Sequence, residues 1–386
     1  MKPLARVALQ YVLLFGATGV SLPFAGLWLR AQGLSGAQIG VLLAAPMLAR
    51  VITGPAVAIW ADGFRLRRTP LAILGLVAAL GYGAAGLVEG IVAWAACWFV
   101  AATAAAALIP LIDVLNLRVS RREGFAFAVP RGFGSAAFVL ANLAMGALLT
   151  RMSADVVIVW CVAACLLIAL TAWRVLPADP VSADGPATGP ERFKGMGRLV
   201  LDPVFVLAVL AIGAVQASHA FYYAFSAVVW QAQGVSPAMT GALWGFSVVV
   251  EIGFMWGIEP WRRRLGIGPW PVLMLGAAAA VLRWTVMAGG PPTWSLWPLQ
   301  TLHALTFAAT YLAGVEIVER LAPANDQTAA QSLNAMLASG LLTGLATLAA
   351  GPLHDAGGAW GWLAMAGLAL AGGAAAMVLR PALTVG

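Results

Sequence analysis

Ala31-Gln32-Gly33-Leu34-Ser35-Gly36-Ala37-Gln38-Ile39-Gly40-Val41-Leu42-Leu43 and Ala232-Gln233-Gly234-Val235-Ser236-Pro237-Ala238-Met239-Thr240-Gly241-Ala242-Leu243-Trp244 share seven of thirteen residues at a constant offset of 201. A match of that density marks an internal duplication. Carried forward at the same offset, the register sets Arg50 opposite Glu251. Each stands about fourteen residues into a long apolar run, which at ~1.5 Å per residue puts it near the middle of a bilayer. One half carries a buried positive charge, and the other a buried negative charge at the matching place.

The composition sets the medium in which this duplication folds. Of 386 residues, 62% are hydrophobic and only 10% charged, with a mean hydropathy of +0.90. No water-soluble fold hides that much apolar surface, so the chain reads as an integral membrane protein. A membrane helix needs about twenty apolar residues, so twelve spans take roughly 240 and leave no separate soluble domain. The expected spans lie at about 7–29, 36–61, 70–88, 91–117, 127–150, 156–174, 203–230, 237–258, 270–288, 294–319, 329–352 and 359–380. The opening Met1-Lys2-Pro3-Leu4-Ala5-Arg6 and the apolar run behind it mimic a signal peptide. A small-residue cleavage site is missing, so it is read as a retained first helix. Cys97, Cys161 and Cys165 lie inside apolar helices without ligand-like spacing and are expected to pack rather than pair or bind metal.

The charges then fix orientation. With the N-terminus in the cytoplasm, Lys2, Arg6, Arg65, Arg67, Arg68, Arg118, Arg121, Arg122, Arg174, Arg192, Lys194, Arg198, Arg262, Arg263, Arg264, Arg320 and Arg380 all fall inside, seventeen of the 22 basic residues. That bias predicts both termini in the cytoplasm of a multi-pass protein of the inner (plasma) membrane, and it accounts for the pI near 9.9 without a nucleic-acid partner. The polar stretch 176–202, rich in Pro, Gly, Ala and Asp, reads as a cytoplasmic linker between six-helix bundles at 1–175 and 203–386. The expected fold is therefore an all-α membrane protein with twelve transmembrane helices in two pseudo-symmetric bundles. That is the layout of a transporter whose substrate site lies between two moving halves.

Over its whole length this arrangement resembles the major facilitator superfamily. The loop Asp62-Gly63-Phe64-Arg65-Leu66-Arg67-Arg68 is similar to that superfamily's gating loop, in which an acid and basic residues close the inner face. Here Ala58 stands where a Gly is usual, and Gly63 and Arg65 replace the usual Arg and Gly. His219-Ala220-Phe221-Tyr222-Tyr223-Ala224-Phe225-Ser226, Val249-Val250-Glu251-Ile252, Leu299-Gln300-Thr301-Leu302-His303-Ala304-Leu305-Thr306-Phe307 and Arg131-Gly132-Phe133-Gly134-Ser135 resemble the phenylpropionate permease branch. That branch is akin to lactose permease, and the resemblance implies proton symport of aromatic acids. In lactose-permease-like symporters a carboxylate on helix 8, an arginine on helix 9 and a histidine on helix 10 form a proton-linked cluster. Glu251, Arg283 and His303 match those roles by helix. Unlike that pattern, no carboxylate follows His303 by one turn.

A charge inside a membrane is paired, faces water or is functional. Thr240, Trp244, Ser247, Glu251 and Met255 lie within about 60° of one another on a helical wheel, giving helix 8 one polar-aromatic face. A carboxylate there can bind and release a proton as its exposure changes. It can also form a fixed ion pair with Arg50 or Arg283, and both readings stay open. Helix 7 shows the same construction with Gln216, His219, Tyr223, Ser226 and Trp230, and Tyr222 at the edge. Helix 10 repeats it with Gln300, His303, Thr306, Thr310 and Gly314.

In the first half, Asp113 and Asn116 end helix 4 and Arg131 opens helix 5 after a short turn, so Asp113 and Arg131 can pair. They form either part of the substrate site or a latch that never touches substrate. Arg131, Ser135, Phe138, Asn142 and Met145 make a stripe suited to lining a cavity. An aromatic carboxylate needs a guanidinium for a bidentate contact, from Arg131 or Arg50, and ring surfaces such as Trp244, Tyr222, Tyr223 and Phe138. The leading expectation is a proton-coupled secondary transporter for a small organic, possibly aromatic, acid, working by alternating access as a monomer without cofactor or metal. An exporter of amphipathic compounds and a sugar or nucleoside symporter are the alternatives within transport. An intramembrane enzyme lacks its motifs: there is no His-Glu-x-x-His, no facing aspartate pair and no Gly-x-Ser-x-Gly. A receptor is expected to carry a signalling domain, and six residues follow Arg380.

Overall fold

The computed structural model describes residues 1–179, 195–323 and 325–384. Residues 180–194 of the expected linker, with Arg192 and Lys194, lie outside the described residues. Eleven helical stretches among the described residues are long and apolar enough to cross a bilayer. Ten of them are α1 (Pro3–Ala31), α2 (Gly36–Asp62), α3 (Arg68–Ala85), α4 (Ile91–Glu123), α5 (Ala128–Leu148), α6 (Val156–Arg174), α7 (Pro203–Ala232), α8 (Pro237–Arg264), α9 (Pro269–Ala288) and α10 (Thr293–Leu321). The last, Gln327–Val378, has 52 residues. As one rod it measures about 78 Å, more than twice the hydrocarbon core. It breaks at Gly358, where φ +52° and ψ −116° leave the helical region, in a conformation glycine adopts without a Cβ penalty. The stretch is thus two spans, α11 (327–357) and α12 (Gly361–Val378), and the described residues hold the twelve expected from composition.

The duplicated stretch is a cassette that stops one helix and starts the next. Gly33 and Gly234, at φ +85° and +84°, cap the C-termini of α1 and α7 in the left-handed region. The chain folds back there through Leu34 N–H to Leu29 O (3.4 Å) and Val235 N–H to Trp230 O (2.9 Å). Ser35 and Ser236 then open α2 and α8, their hydroxyls accepting from Gln38 N–H and Met239 N–H, each at 3.2 Å. In the first copy Gln38 closes a capping box back onto Ser35 N–H at 2.9 Å.

Three more identities, Ala37 with Ala238, Gly40 with Gly241 and Leu42 with Leu243, are packing positions. A Cβ on Gly351 of α11 would stand 2.9 Å from Ala37 Cα, and one on Gly40 would stand 3.1 Å from Gly351 Cα. In the second copy, Gly146 of α5 takes the part of Gly351. A Cβ there would meet Ala238 Cα and Gly241 Cα, both at 3.2 Å. Small residues in this pattern let two backbones touch. Leu42 and Leu243 are both buried one turn on. Asp355 of α11 adds a charged cap to the first copy, accepting from Gly36 N–H at 2.7 Å and Ala37 N–H at 2.8 Å. Pro237 stands at the place of Gly36 in the second and has no N–H to give.

The helices form two compact units. One holds the described residues of Met1–Leu34, Ile52–Thr188 and Ser236–Gly245. In it α1 packs on α5 and α6, and α3 on α4 and α6. The other holds the described residues of Ser35–Val51, Gly189–Val235 and Phe246–Gly386. There α12 packs on α7 and α9, and α10 on α7 and α9. The glycine contacts explain why the first half of α2 clusters with α11 and the first turns of α8 with α5. The cysteines are unpaired, with Cys161 and Cys165 buried.

Overpacking a well-filled helix contact costs about 1–3 kcal/mol. Gly146→Val and Gly351→Val are each expected to lower the melting temperature of the detergent-solubilised protein by that equivalent. Gly367→Val is the control, because a Cβ on Gly367 meets nothing within 4 Å and leaves the melt unchanged.

Candidate functional site

Each unit holds a polar cluster within its spans. In the first, α4 and α5 bring Asp113 and Arg131 together as their antiparallel spacing predicts. Arg131 Nη1 donates to both carboxylate oxygens, at 2.7 and 2.6 Å. The pair is partly open, with side-chain exposures of 40% for Arg131 and 27% for Asp113. Tyr11 of α1 completes it, donating its hydroxyl to Asp113 Oδ1 at 2.5 Å. Asn116 in turn donates to the Tyr11 hydroxyl at 3.3 Å and to Phe127 O at 3.0 Å. Gly134 on α5 lets Tyr11 in: a Cβ there would stand 3.2 Å from Tyr11 Cβ. Tyr11 was not singled out by the sequence reading. Its signal is a phenol beside Gln10 in an otherwise apolar first helix.

The second cluster is assembled by irregular turns in two helices. In α7 the ladder loosens at Ser218–His219, and His219 Nδ1 sits 3.0 Å from Gln216 O. In α10 a widened π-type turn spans Ala304–Ala309. The Thr310 hydroxyl donates to the displaced Leu305 O at 3.2 Å, in space left by Gly276 of α9, where a Cβ would stand 2.9 Å from that oxygen. Thr310, expected on the substrate face, is therefore a support of this turn. Such turns insert an extra residue and re-aim what precedes them. Gln300, His303 and Thr306 are all buried here.

Arg283 of α9 is the centre. It is 0% exposed, and among the described residues no carboxylate lies within ion-pair distance of it. Its Nη1 is 3.1 Å from His303 Nδ1 and 3.2 Å from Thr306 Oγ1. Nη2 donates to Gln300 Oε1, whose amide donates to the Tyr222 hydroxyl at 2.8 Å. The guanidinium carbon lies 4.5 Å from the Trp284 ring centroid and 4.9 Å from that of Tyr222, the kind of contact worth about 2 kcal/mol when desolvated. Trp284 is fixed by its indole N–H on Ser218 Oγ at 2.9 Å. His219 Nε2 is 3.0 Å from Thr306 Oγ1, and Tyr223 stacks on the His219 ring. Glu251 of α8 approaches from the other side of His303, its Oε2 3.7 Å from His303 Nε2.

Neither Arg50 nor Arg283 forms the fixed ion pair with Glu251 weighed from the sequence. Arg50 is exposed and has no hydrogen bond or ion pair among the described residues. Trp244 is buried but belongs to the unit that does not contain Glu251. The loop charges do join. Arg67 lies 3.9 Å from Asp62 and 3.4 Å from Asp179, and Asp179 also meets Arg118 and Arg122, each at 3.3 Å. Arg68 donates to Leu176 O at 3.1 Å, while Arg65 is exposed. Asp179 is a buried hub the sequence reading missed, the first acid after α6. In the second unit Glu259, Arg262, Arg263, Glu316 and Arg320 form a comparable ladder of ion pairs at 2.6–2.9 Å.

Twelve apolar helices enclosing charged and histidine side chains define the class of membrane transporters with sites built inside the helix bundle. Residues 4–364 match the MFS_1 like family, and the chain belongs to that family of the major facilitator superfamily. It is 28% identical over 384 residues to the "Probable 3-phenylpropionic acid transporter" of Escherichia coli (strain K12), covering 97% of this chain and 96% of that protein. It is also 28% identical over 354 residues to a maltose permease of Geobacillus stearothermophilus, covering 90% of this chain and 86% of that protein. Among solved structures, the nucleoside transporter NupG superposes with a TM-score of 0.85 at 19% identity, covering 98% of this chain and 99% of that one. A bacterial homolog of the lysosomal transporter Spinster gives 0.77 at 16% identity, covering 100% and 98%.

Tyr11→Phe keeps the ring and removes one hydrogen bond to a carboxylate, an interaction worth about 1.5–3 kcal/mol. The expected result is a loss of that size in unfolding free energy, read by denaturant melts. Asn116→Leu in the Tyr11→Phe background is expected to cost about 1 kcal/mol more, because Phe127 O still loses its donor.

Proposed function

We propose that the protein is a proton-coupled secondary transporter of a small organic acid in the inner membrane, with both termini cytoplasmic. It acts as a monomer of two bundles, 1–175 and 203–386, joined by a cytoplasmic linker at 176–202. The observation that supports it is the line Glu251, His303, Arg283. A carboxylate inside a span faces a histidine that is itself bonded to a buried guanidinium with no acid beside it. Glu251 is the group that takes and releases the proton as its surroundings alternate between water and protein.

An anionic substrate is favoured over a sugar or nucleoside by the balance of charge. In the first unit the Arg131 charge is met by Asp113. In the second, Arg283 and Arg50 have no carboxylate against them among the described residues. Arg50, being exposed, is the guanidinium that a substrate carboxylate can reach for a two-pronged contact. An aromatic acid agrees with the printed name of the Escherichia coli relative, and Tyr223 and Phe307, grouped around His219, offer ring faces.

Proteoliposomes with an inward proton gradient test this with labelled 3-phenylpropionate. Wild type is expected to accumulate it. Glu251→Gln is expected to lose gradient-driven accumulation by at least tenfold while still exchanging internal for external substrate. Accumulation by Glu251→Gln equal to wild type overturns the reading, and an increased cellular content of amphipathic compounds in that variant points to export instead. A thermal-shift screen of aromatic acids, sugars and nucleosides sorts the substrate class. A ligand at a hundredfold its Kd stabilises by about 2.7 kcal/mol. An aromatic acid is expected to raise the melting temperature of wild type and not of Arg50→Gln.

A further inference from the structure

We infer that the two histidines of this cluster are locked in opposite tautomers, His303 by Arg283 and His219 by Gln216 O, with Thr306 joining the two rings. A guanidinium has five N–H donors and no acceptor. At both His303 Nδ1 (3.1 Å) and Thr306 Oγ1 (3.2 Å), Arg283 is therefore the donor. His303 Nδ1 presents a lone pair, and its ring proton sits on Nε2, the nitrogen that faces Glu251. The Thr306 oxygen accepts from Arg283 and keeps one hydrogen to give, which the shorter contact sends to His219 Nε2 at 3.0 Å in preference to His303 O at 3.4 Å. At the other edge of the same ring, His219 Nδ1 faces Gln216 O, a carbonyl that only accepts, so the His219 proton is on Nδ1. The constraints from the two edges agree. Two rings 5.5 Å apart are held in opposite neutral tautomers.

The consequence concerns where a proton can go. A second proton on His303 must be placed on Nδ1, against the guanidinium. One on His219 must be placed on Nε2, against the hydroxyl hydrogen of Thr306. The other titratable groups facing the cluster are Tyr222, Tyr223 and Glu251. With both imidazoles closed, Glu251 alone is left to accept a proton, and His303 presents it with an N–H. Arg283 and Thr306 are positioning residues in this account, and Thr306 stands one turn past His303, where no carboxylate is found. The inference rests on the reading of Glu251 as the coupling group, but its test does not.

The chain has three histidines, so protein labelled with heavy-nitrogen histidine gives three imidazole pairs whose proton–nitrogen couplings separate Nδ1–H from Nε2–H. His219→Gln and His303→Gln assign them. The expected spectrum shows His219 as Nδ1–H and His303 as Nε2–H, neither becoming imidazolium between about pH 5 and pH 8. Arg283→Gln is expected to release His303, which then populates both tautomers and titrates in that window, while His219 stays Nδ1–H on Gln216 O. Thr306→Val is expected to remove the hydrogen-bond shift of His219 Nε2, and Thr306→Ser to keep it. His354, stacked on Phe225 away from the cluster, reports in every variant whether the fold is intact. A shared tautomer, a titrating ring in wild type, or an unchanged His303 in folded Arg283→Gln overturns the lock. Expected spectra together with full accumulation by Glu251→Gln sink the coupling reading and leave the lock standing.

Discussion

A guanidinium buried from solvent, with no carboxylate beside it among the described residues, organises the second half of this protein. Moving such an ion out of water costs several kcal/mol even after relaxation, and the chain offsets that cost at Arg283 with neutral partners: two ring faces, an amide oxygen, a hydroxyl and an imidazole nitrogen. All of them but Trp284, the neighbour of Arg283 on α9, come from the two helices interrupted by irregular turns. The loosened turn at Ser218–His219 and the widened turn at Ala304–Ala309 weaken the backbone ladder where the cluster needs side chains. Ser218 and Thr310 hydroxyls then re-satisfy main-chain oxygens, as nonpolar surroundings require. Polarity imposed by a donor-only group runs outward through Thr306 and His303 to the edge where Glu251 stands.

The two units share a helix-reversing cassette and differ in their electrostatics. In the first, a phenol, a carboxylate and a guanidinium satisfy one another across α1, α4 and α5. In the second, cations outnumber the acids set against them. The two halves of the duplicated scaffold thus carry unequal charge. The two loop networks, around Asp179 and around Glu259 with Glu316, lie at span ends where charge is least costly, in keeping with the positive-inside pattern.

Much of the candidate site was visible as helical faces. Gln300, His303 and Thr306 recur every three residues, and His219 with Tyr223 falls one turn apart, so each face was legible from periodicity, while the meeting of His303 with Glu251 and Arg283 was what the resemblance to lactose-permease-like symporters implied. Thr310 and Trp244 were placed on the same faces by an unbroken 3.6-residue repeat. A wheel assumes a regular helix, and the widened turn in α10 turns Thr310 toward the backbone instead. Tyr11 and Asp179 were passed over because each is a lone polar residue whose partners come from helices far along the chain.

The sequence by itself determined the medium, the number of spans and the duplication, because hydropathy, basic-residue bias and the 201-residue offset are properties of order along the chain. It also held the reason for the repeated Gly-x-Ser, since a left-handed cap and a hydroxyl N-cap are local demands of backbone geometry. The Asp113–Arg131 pair was legible from the short turn between their helices, and only the tertiary structure decided the partners of the other charges. Glu251 stopped beside His303, and Arg50 and Arg283 have no acid against them among the described residues, outcomes set by distances of a few ångströms between helices. Coulomb and hydrogen-bond energies depend on those distances, and spacing along a chain does not contain them.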